Sequence, residues 1–325
     1  MVSYSQTNGK VGILSMGIVV IGASFVDIKG YPESNFIPAG RNAGRVEQVH
    51  GGVGRNVAED IANVELRPTF VSLVDGSGAG TDVVKKLQSH KVNTDYIRVT
   101  KDGMGTWLAV FNNDGDVVAS ISRRPDLMPI AEILDEKGDE IFAAADSVVI
   151  EIDIDKEIVK RTFRLAEKYR KAVYAVVSNM SIALERRDFL QSVDCFVCNR
   201  QEAGILFFDD YAGKPVTEMV DILSQKVQQA QIPSMIVTMG EDGAVYASLD
   251  GEKGYCPSRK VEVKDTTGAG DAFCAGVSIG LTYGKSLGQA CDIGAVLAAS
   301  VIATSENVCP RFLPRELGLE IDVED

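Results

Sequence analysis

The residues best suited to chemistry stand together at Asp265-Thr266-Thr267-Gly268-Ala269-Gly270-Asp271, inside the run VEVKDTTGAGDAFCAG from Val261 to Gly276. Val261 and Val263 alternate with polar residues as in a strand, and apolar residues recur at helical spacing once a helix opens at Asp271. A strand, a glycine turn and a helix start make an anion site. The first amides of a helix have no partner within it, two glycines let the backbone aim them at one point, and the helix dipole favours negative charge there. Asp271, at the rim of this cup, can reach a hydroxyl lying beside a bound phosphate and take its proton. Helix capping by Asp271 is the alternative that the same residues allow.

Other polar residues fall where a sheet would present them to a ligand. Gly17 to Ile28 reads as one buried strand of parallel-sheet type, which puts Asp27 at the mouth of a site. In His50-Gly51-Gly52-Val53-Gly54-Arg55-Asn56, the glycines allow a ligand close to bare backbone, and Asn56 can both donate to and accept from a hydroxyl. This G-G-x-G-x-N follows a long non-helical insert and differs from the dinucleotide fingerprint in its third position, so a Rossmann dehydrogenase is excluded. Asn199 and Glu202 follow an apolar strand and suit either a helix cap or hydrated magnesium with phosphates. Thr238-Met239-Gly240-Glu241-Asp242-Gly243 follows the next strand and suits a hairpin or a nucleotide against bare backbone. Trp107, the sole tryptophan, suits core packing or a flat ring over a base or sugar.

The elements that must position these residues are legible as well. Residues 69–74 form a buried strand, and a helix follows to about His90. The insert at 29–50 and short alternating strands between 96 and 124, with a hairpin turn at Asn113-Asp114-Gly115, predict a small β layer able to cover a pocket. From Ala145 onward, strands near 147–152, 172–177, 195–198 and 235–238 alternate with helices, which means βαβ units and a parallel sheet. One domain with a lid is expected over residues 16–325, after a tail at 1–15 that lacks the features of a secretion signal.

Composition narrows the function classes. A net charge of −13 argues against nucleic-acid or acidic-membrane partners, while a local amide cradle still holds phosphate. No apolar run approaches the roughly 20 residues of a membrane span, and a cytoplasmic location is expected. Cys195 and Cys198 lie in an apolar run with no second pair or nearby histidine, so a buried strand explains them. With only His50 and His90, histidine metal sites and Ser-His-Asp catalysis are excluded. Gly284-Lys285-Ser286 is not a P-loop, because Ile279 stands where that motif needs glycine; Ser286 and Gln289 fit a capping box instead.

The DTTGAGDAFCAG string and the order of the other motifs resemble the ribokinase-like (PfkB) family of carbohydrate and nucleoside kinases, from about Met16 to Pro314. The resemblance implies an α/β fold, a doubly wound, mainly parallel sheet sandwiched by helices, with a small β-sheet lid. It implies transfer of the γ-phosphoryl group of ATP to a hydroxymethyl group of a sugar or nucleoside. On that basis Asp271 is the catalytic base, Gly268, Ala269 and Gly270 form the anion hole, and Asp27, Gly51, Gly52 and Asn56 bind sugar hydroxyls. Asn199 and Glu202 are linked to Mg2+, through water, and to phosphate placement; Thr238, Gly240 and Gly243 contact ATP. Many relatives also bind a monovalent cation such as K+ beside the anion hole, and Asp265 and Thr267 fit that loop, with Ser305 to Asn307 as its other wall.

Within the family the likeness is to pseudouridine kinases, on G-G-V-G-R-N at 51–56, T-M-G-E-D-G at 238–243 and G-E-K-G-Y at 251–255. A ribokinase or other free-sugar kinase is the alternative. A non-enzymatic sensor would be favoured by loss of Asp271 or of the glycine cup, and both are present. Val177-Ser178-Asn179 departs from the acidic strand end of many relatives. The lid strands also offer edges for a homodimer.

Overall fold

Long β-branched runs make strands that can be buried on both faces, and such strands build parallel sheets. The computed structural model describes residues 17–113 and 117–321. The predicted tail at 1–15, the start of the predicted match at Met16, and Asp114 and Gly115 of the predicted turn lie outside the described residues.

The strands are β1 (Gly17–Ile21), β2 (Phe25–Pro32), β3 (Gly44–Gly51), β4 (Thr69–Val74), β5 (Ile97–Val99), β6 (Gly105–Phe111) and β7 (Val117–Arg123). They continue with β8 (Ala145–Glu151), β9 (Val173–Val176), β10 (Cys195–Asn199), β11 (Ser234–Thr238), β12 (Ala244–Ser248) and β13 (Lys253–Cys256). Nine of them form one sheet in the order β13-β12-β11-β10-β9-β8-β1-β4-β5, antiparallel only at β11-β12-β13. The other four form a separate sheet, β3-β2-β6-β7, the predicted lid.

The helices are α1 (Val53–Asn63), α2 (Gly78–Ser89), α3 (Pro129–Ala144), α4 (Lys156–Tyr169) and the single turn α5 (Met180–Ala183). After them come α6 (Arg200–Phe207), α7 (Val216–Ala230), α8 (Ala269–Thr282) and α9 (Leu287–Ile302). One face of the large sheet packs against α3, α4, α6 and α7, the other against α1, α2, α8 and α9. α8 and α9 cross with almost nothing between them: a Cβ added at Gly276 would lie 2.6 Å from the Cα of Gly294. That contact seats α8, whose N-terminus carries the glycine turn.

Five expectations are corrected. Residues 17–28 are two strands, because the chain leaves the large sheet at Gly22 and enters the lid at Phe25. The break has a cause: a Cβ at Gly22 would lie 2.4 Å from Glu151 Oε1, and the amide of Ala23 donates to that same oxygen at 2.9 Å. Asp27 therefore belongs to the lid rather than to a core strand end. The segment near 96–99 is not lid either, since β5 pairs in parallel with β4 at the edge of the large sheet.

Val261 and Val263 form no strand; they are 39% and 65% exposed, and alternation without a buried face supplies no reason to pair. The helix expected from Asp271 opens earlier, at Ala269. The reading of the cysteines holds: Cys195 and Cys198 are buried free thiols in β10. Ser286 and Gln289 make the expected capping box on α9.

Candidate active site

Gly268 caps α8 with φ 82°, the left-handed region that glycine occupies without strain. No side chain fits there, because a Cβ would fall 2.0 Å from the carbonyl oxygen of Asn307. The amide of Ala269 turns back to Thr266 O at 3.3 Å. The amides of Gly270 and Asp271, in the first turn, have no carbonyl ahead of them in the helix and face outward with the positive end of its dipole.

Asp271 is half-buried, and its Oδ2 accepts from Asn56 Nδ2 at 2.7 Å. Burial raises its carboxyl to about 6, although Asn56 and Arg55 pull it down; the nearby Asp27 and Glu202 push it further up. The buried Oδ1 of Asn56 has no hydrogen-bond partner among the described residues, so the amide holds Asp271 with one end and offers an acceptor with the other. Such a pair can hold a hydroxyl and take its proton.

Asp27 closes this side from the lid. It lies against Gly51, where a Cβ would come within 2.4 Å of its Oδ2, and burial raises its carboxyl while Lys29 and Arg55 lower it. Gly52, at φ 99°, leaves no room for a side chain against Ala23 O. Trp107 stands beside Asp27 in the register of β2 and β6, so the two share the lid face that meets the glycine turn.

Arg55 holds the loop together from beneath. It is fully buried, pairs with Glu59 at 2.5 Å, and donates to the carbonyls of His50 and Gly51 and to Asn307 Oδ1. Asn307 in turn donates to His50 O at 2.7 Å while its own carbonyl fixes Gly268. One buried network thus ties the Gly51-Gly52 loop to the glycine turn. Glu151 at the end of β8 adds a second tie, accepting from Ala23 N at 2.9 Å and Gly54 N at 2.6 Å; burial raises its carboxyl to about 8.

On the other side of the turn lies a cavity of ≈490 Å³. Ala269, Gly270, Thr238, Gly240, Gly243 and Asn199 line it, with Arg200 and Arg259 as basic groups and Phe273, Ala298 and Ile302 as an apolar wall. Gly243, at φ 86°, has no space for a Cβ against Cys256 O. Asn199 and Glu202 form a reciprocal capping box on α6: Glu202 N donates to Asn199 Oδ1 at 2.8 Å and Asn199 N to Glu202 Oε2 at 2.7 Å. No group of three or more His, Cys, Asp or Glu able to hold a metal ion occurs among the described residues. With Asn199 Oδ1 and one Glu202 oxygen engaged in the cap, the pair suits a hydrated ion better than direct coordination.

This bipartite site can be set beside known proteins. The pfkB family carbohydrate kinase model matches residues 16–310. The chain belongs to that family. This kinase is 35% identical over 299 residues to the guanosine-inosine kinase of Exiguobacterium acetylicum, covering 91% of this chain and 98% of that one. It is 26% identical over 263 residues to the pseudouridine kinase of Escherichia coli strain K12, covering 80% and 82%. The fold is that of Arabidopsis thaliana ribokinase, solved with ribose and ATP, at TM-score 0.77 and 19% identity over 95% of this chain and 100% of the other. Giardia lamblia ribokinase gives TM-score 0.79 at 17% identity, covering 94% and 99%.

In the kinase, then, Asn56 and Asp271 meet on one side of the turn at 265–271 with Asp27 nearby, and Asn199, Thr238, Gly240 and Gly243 line the cavity on the other, while Trp107 is located by its register beside Asp27. Arg55 and Glu151 were absent from the predicted site, and Asn307 stood in it only as part of the wall of a cation loop. Glu151 had a signal, an acid closing a buried apolar strand; the ties of Asn307 to His50 and Arg55 had none, because those partners lie far away in the chain. At Val177-Ser178-Asn179, where the acidic strand end is missing, a carboxylate comes from elsewhere in the chain: Asp153 accepts from Ser178 N at 2.9 Å and Ser178 Oγ at 2.7 Å. Arg124, which its position at the end of the hairpin would leave solvated, pairs with that same carboxylate at 3.0 Å.

Proposed function

We propose that this kinase transfers the γ-phosphoryl group of ATP to the 5′-hydroxyl of a ribonucleoside, with Asp271 as general base. The supporting observation is the position of the helix start: Gly270 lines the ≈490 Å³ cavity, and the next residue, Asp271, meets Asn56 on the opposite side. On this reading nucleotide and acceptor lie on either side of one cup of amides, the arrangement an in-line displacement needs.

Asn56 Nδ2 orients Asp271, and the unpartnered Asn56 Oδ1 with Asp27 receives the ribose hydroxyls. Asp271 takes the 5′-hydroxyl proton as the oxygen attacks phosphorus, the bond to the leaving ADP breaks, and the amides of Gly270 and Asp271 bear the charge on the transferring group. Thr238, Gly240 and Gly243 bound the nucleotide, with Arg200 and Arg259 toward its phosphates. Asn199 and Glu202 would hold Mg2+ through water, and the ion would supply charge neutralisation to the phosphates.

For the acceptor, greater identity over more of the chain favours guanosine and inosine, with pseudouridine second. Trp107, beside Asp27 on the lid, is the ring available to a purine.

A free-enzyme carboxyl raised to about 6 sets the pH dependence: the base works unprotonated, so kcat/KM is expected to hold near neutrality and fall as pH drops through about 6. A pH–rate profile without an acidic limb near that value would contradict the role of Asp271. Phosphorus NMR of the product is expected to show a phosphomonoester coupled to two methylene protons. Coupling to a single proton would move the transfer to a ring hydroxyl.

A further inference from the structure

Lys29 is a cation in an unusual place. It lies on β2 two residues after Asp27, so both side chains are on one lid face, and it is 6% exposed. Its Nζ is 3.7 Å from Asp265 Oδ2, at the foot of the glycine turn. Burial would raise the Asp265 carboxyl, yet it is lowered on balance, because the Thr267 amide donates to Oδ1 at 2.8 Å and Lys29 faces the other oxygen. Both oxygens of the carboxylate expected to hold a monovalent cation are thus engaged.

In the other expected wall, 305–307, the Asn307 side chain is engaged as well, and so is the nearby carbonyl that precedes it. Asn307 spends its side chain on His50 O and Arg55, and Ile302 O accepts from Lys264 N at 2.9 Å. A free cation seated here would also lie beside the Lys29 ammonium, which repels it.

We propose that Lys29 takes the place of a monovalent cation, supplying from the lid a fixed positive charge to the turn that carries the anion cup. Turnover is then independent of K+, and the charge arrives with the lid rather than from solution. Lys29 acts through Asp265 and the turn, as a positioning residue. The inference rests on the kinase reading of that turn.

The test compares initial rates at fixed ionic strength in potassium, sodium and tetramethylammonium chlorides, with ATP, magnesium and guanosine. Rates within about twofold are expected, since screening is held constant. Saturable activation by K+ of about tenfold or more over tetramethylammonium would overturn the proposal. Lys29→Met is expected to lose turnover in tetramethylammonium and regain it with K+, a rescue that mere loss of packing does not give. A folded variant that K+ leaves unrescued would count against it.

If Lys29→Met fails to fold, the wild-type salt comparison decides alone. If no nucleoside or sugar is turned over in any salt, the acceptor reading fails separately, and thermal denaturation decides the cation question. A melting temperature equal in K+ and tetramethylammonium supports the proposal, and one raised specifically by K+ overturns it.

Discussion

Asp271→Asn is expected to lower kcat by about 10²–10⁴-fold, the usual worth of a positioned general base. The substitution is close to isosteric. The new side chain keeps an oxygen for Asn56 Nδ2, now 2.7 Å from Asp271 Oδ2, and Gly268, Ala269 and Gly270 are untouched. Nucleotide affinity, read by titration calorimetry, is therefore expected to stay near wild type, because the cavity residues lie on the far side of Gly270. The acidic limb of the pH profile is expected to vanish with the carboxyl that causes it. Substantial remaining kcat with the limb intact would remove Asp271 as the base and turn attention to Asp27, a second raised carboxyl on the acceptor side.

Gly268→Val is expected to damage both activity and stability. The backbone at φ 82° is strained for a β-branched residue, at a cost of about 1–3 kcal/mol. Its Cβ would also meet Asn307 O at 2.0 Å, so either the turn or Asn307 must move. Moving the turn misaims the amides of Gly270 and Asp271, and losing one such donor lowers rate by about 10²–10³-fold. Moving Asn307 disturbs the partner of Arg55 and of His50 O instead. Reduced kcat together with a lower melting temperature is the expected result. A variant with wild-type kcat would show that the cup does not need this geometry.

The sequence carried the local part of this site and missed the distant part. The glycine turn, Asp271, the Gly51-Gly52 loop and the Asn199–Glu202 cap are short-range patterns, and each appears where its residues predict. The lid was legible as a layer, but its membership was not, since an apolar run does not mark where a chain changes sheets. What breaks the run at Gly22 is the Glu151 carboxylate, 128 residues from Ala23. In the same way nothing local marks Arg55 as buried; Glu59 and Asn307 are folded around it, the latter 252 residues on. Lys29 carries no local mark of its place beside the turn; only the folded lid brings it to Asp265.

The most direct test is ATP consumption with magnesium across guanosine, inosine, pseudouridine and ribose, each as sole acceptor. Guanosine or inosine is expected to give the highest kcat/KM, with pseudouridine behind and ribose lowest. Ribose turned over as well as or better than every nucleoside would contradict the ribonucleoside assignment and leave Asp27 and Asn56, without Trp107, as the determinants of the acceptor.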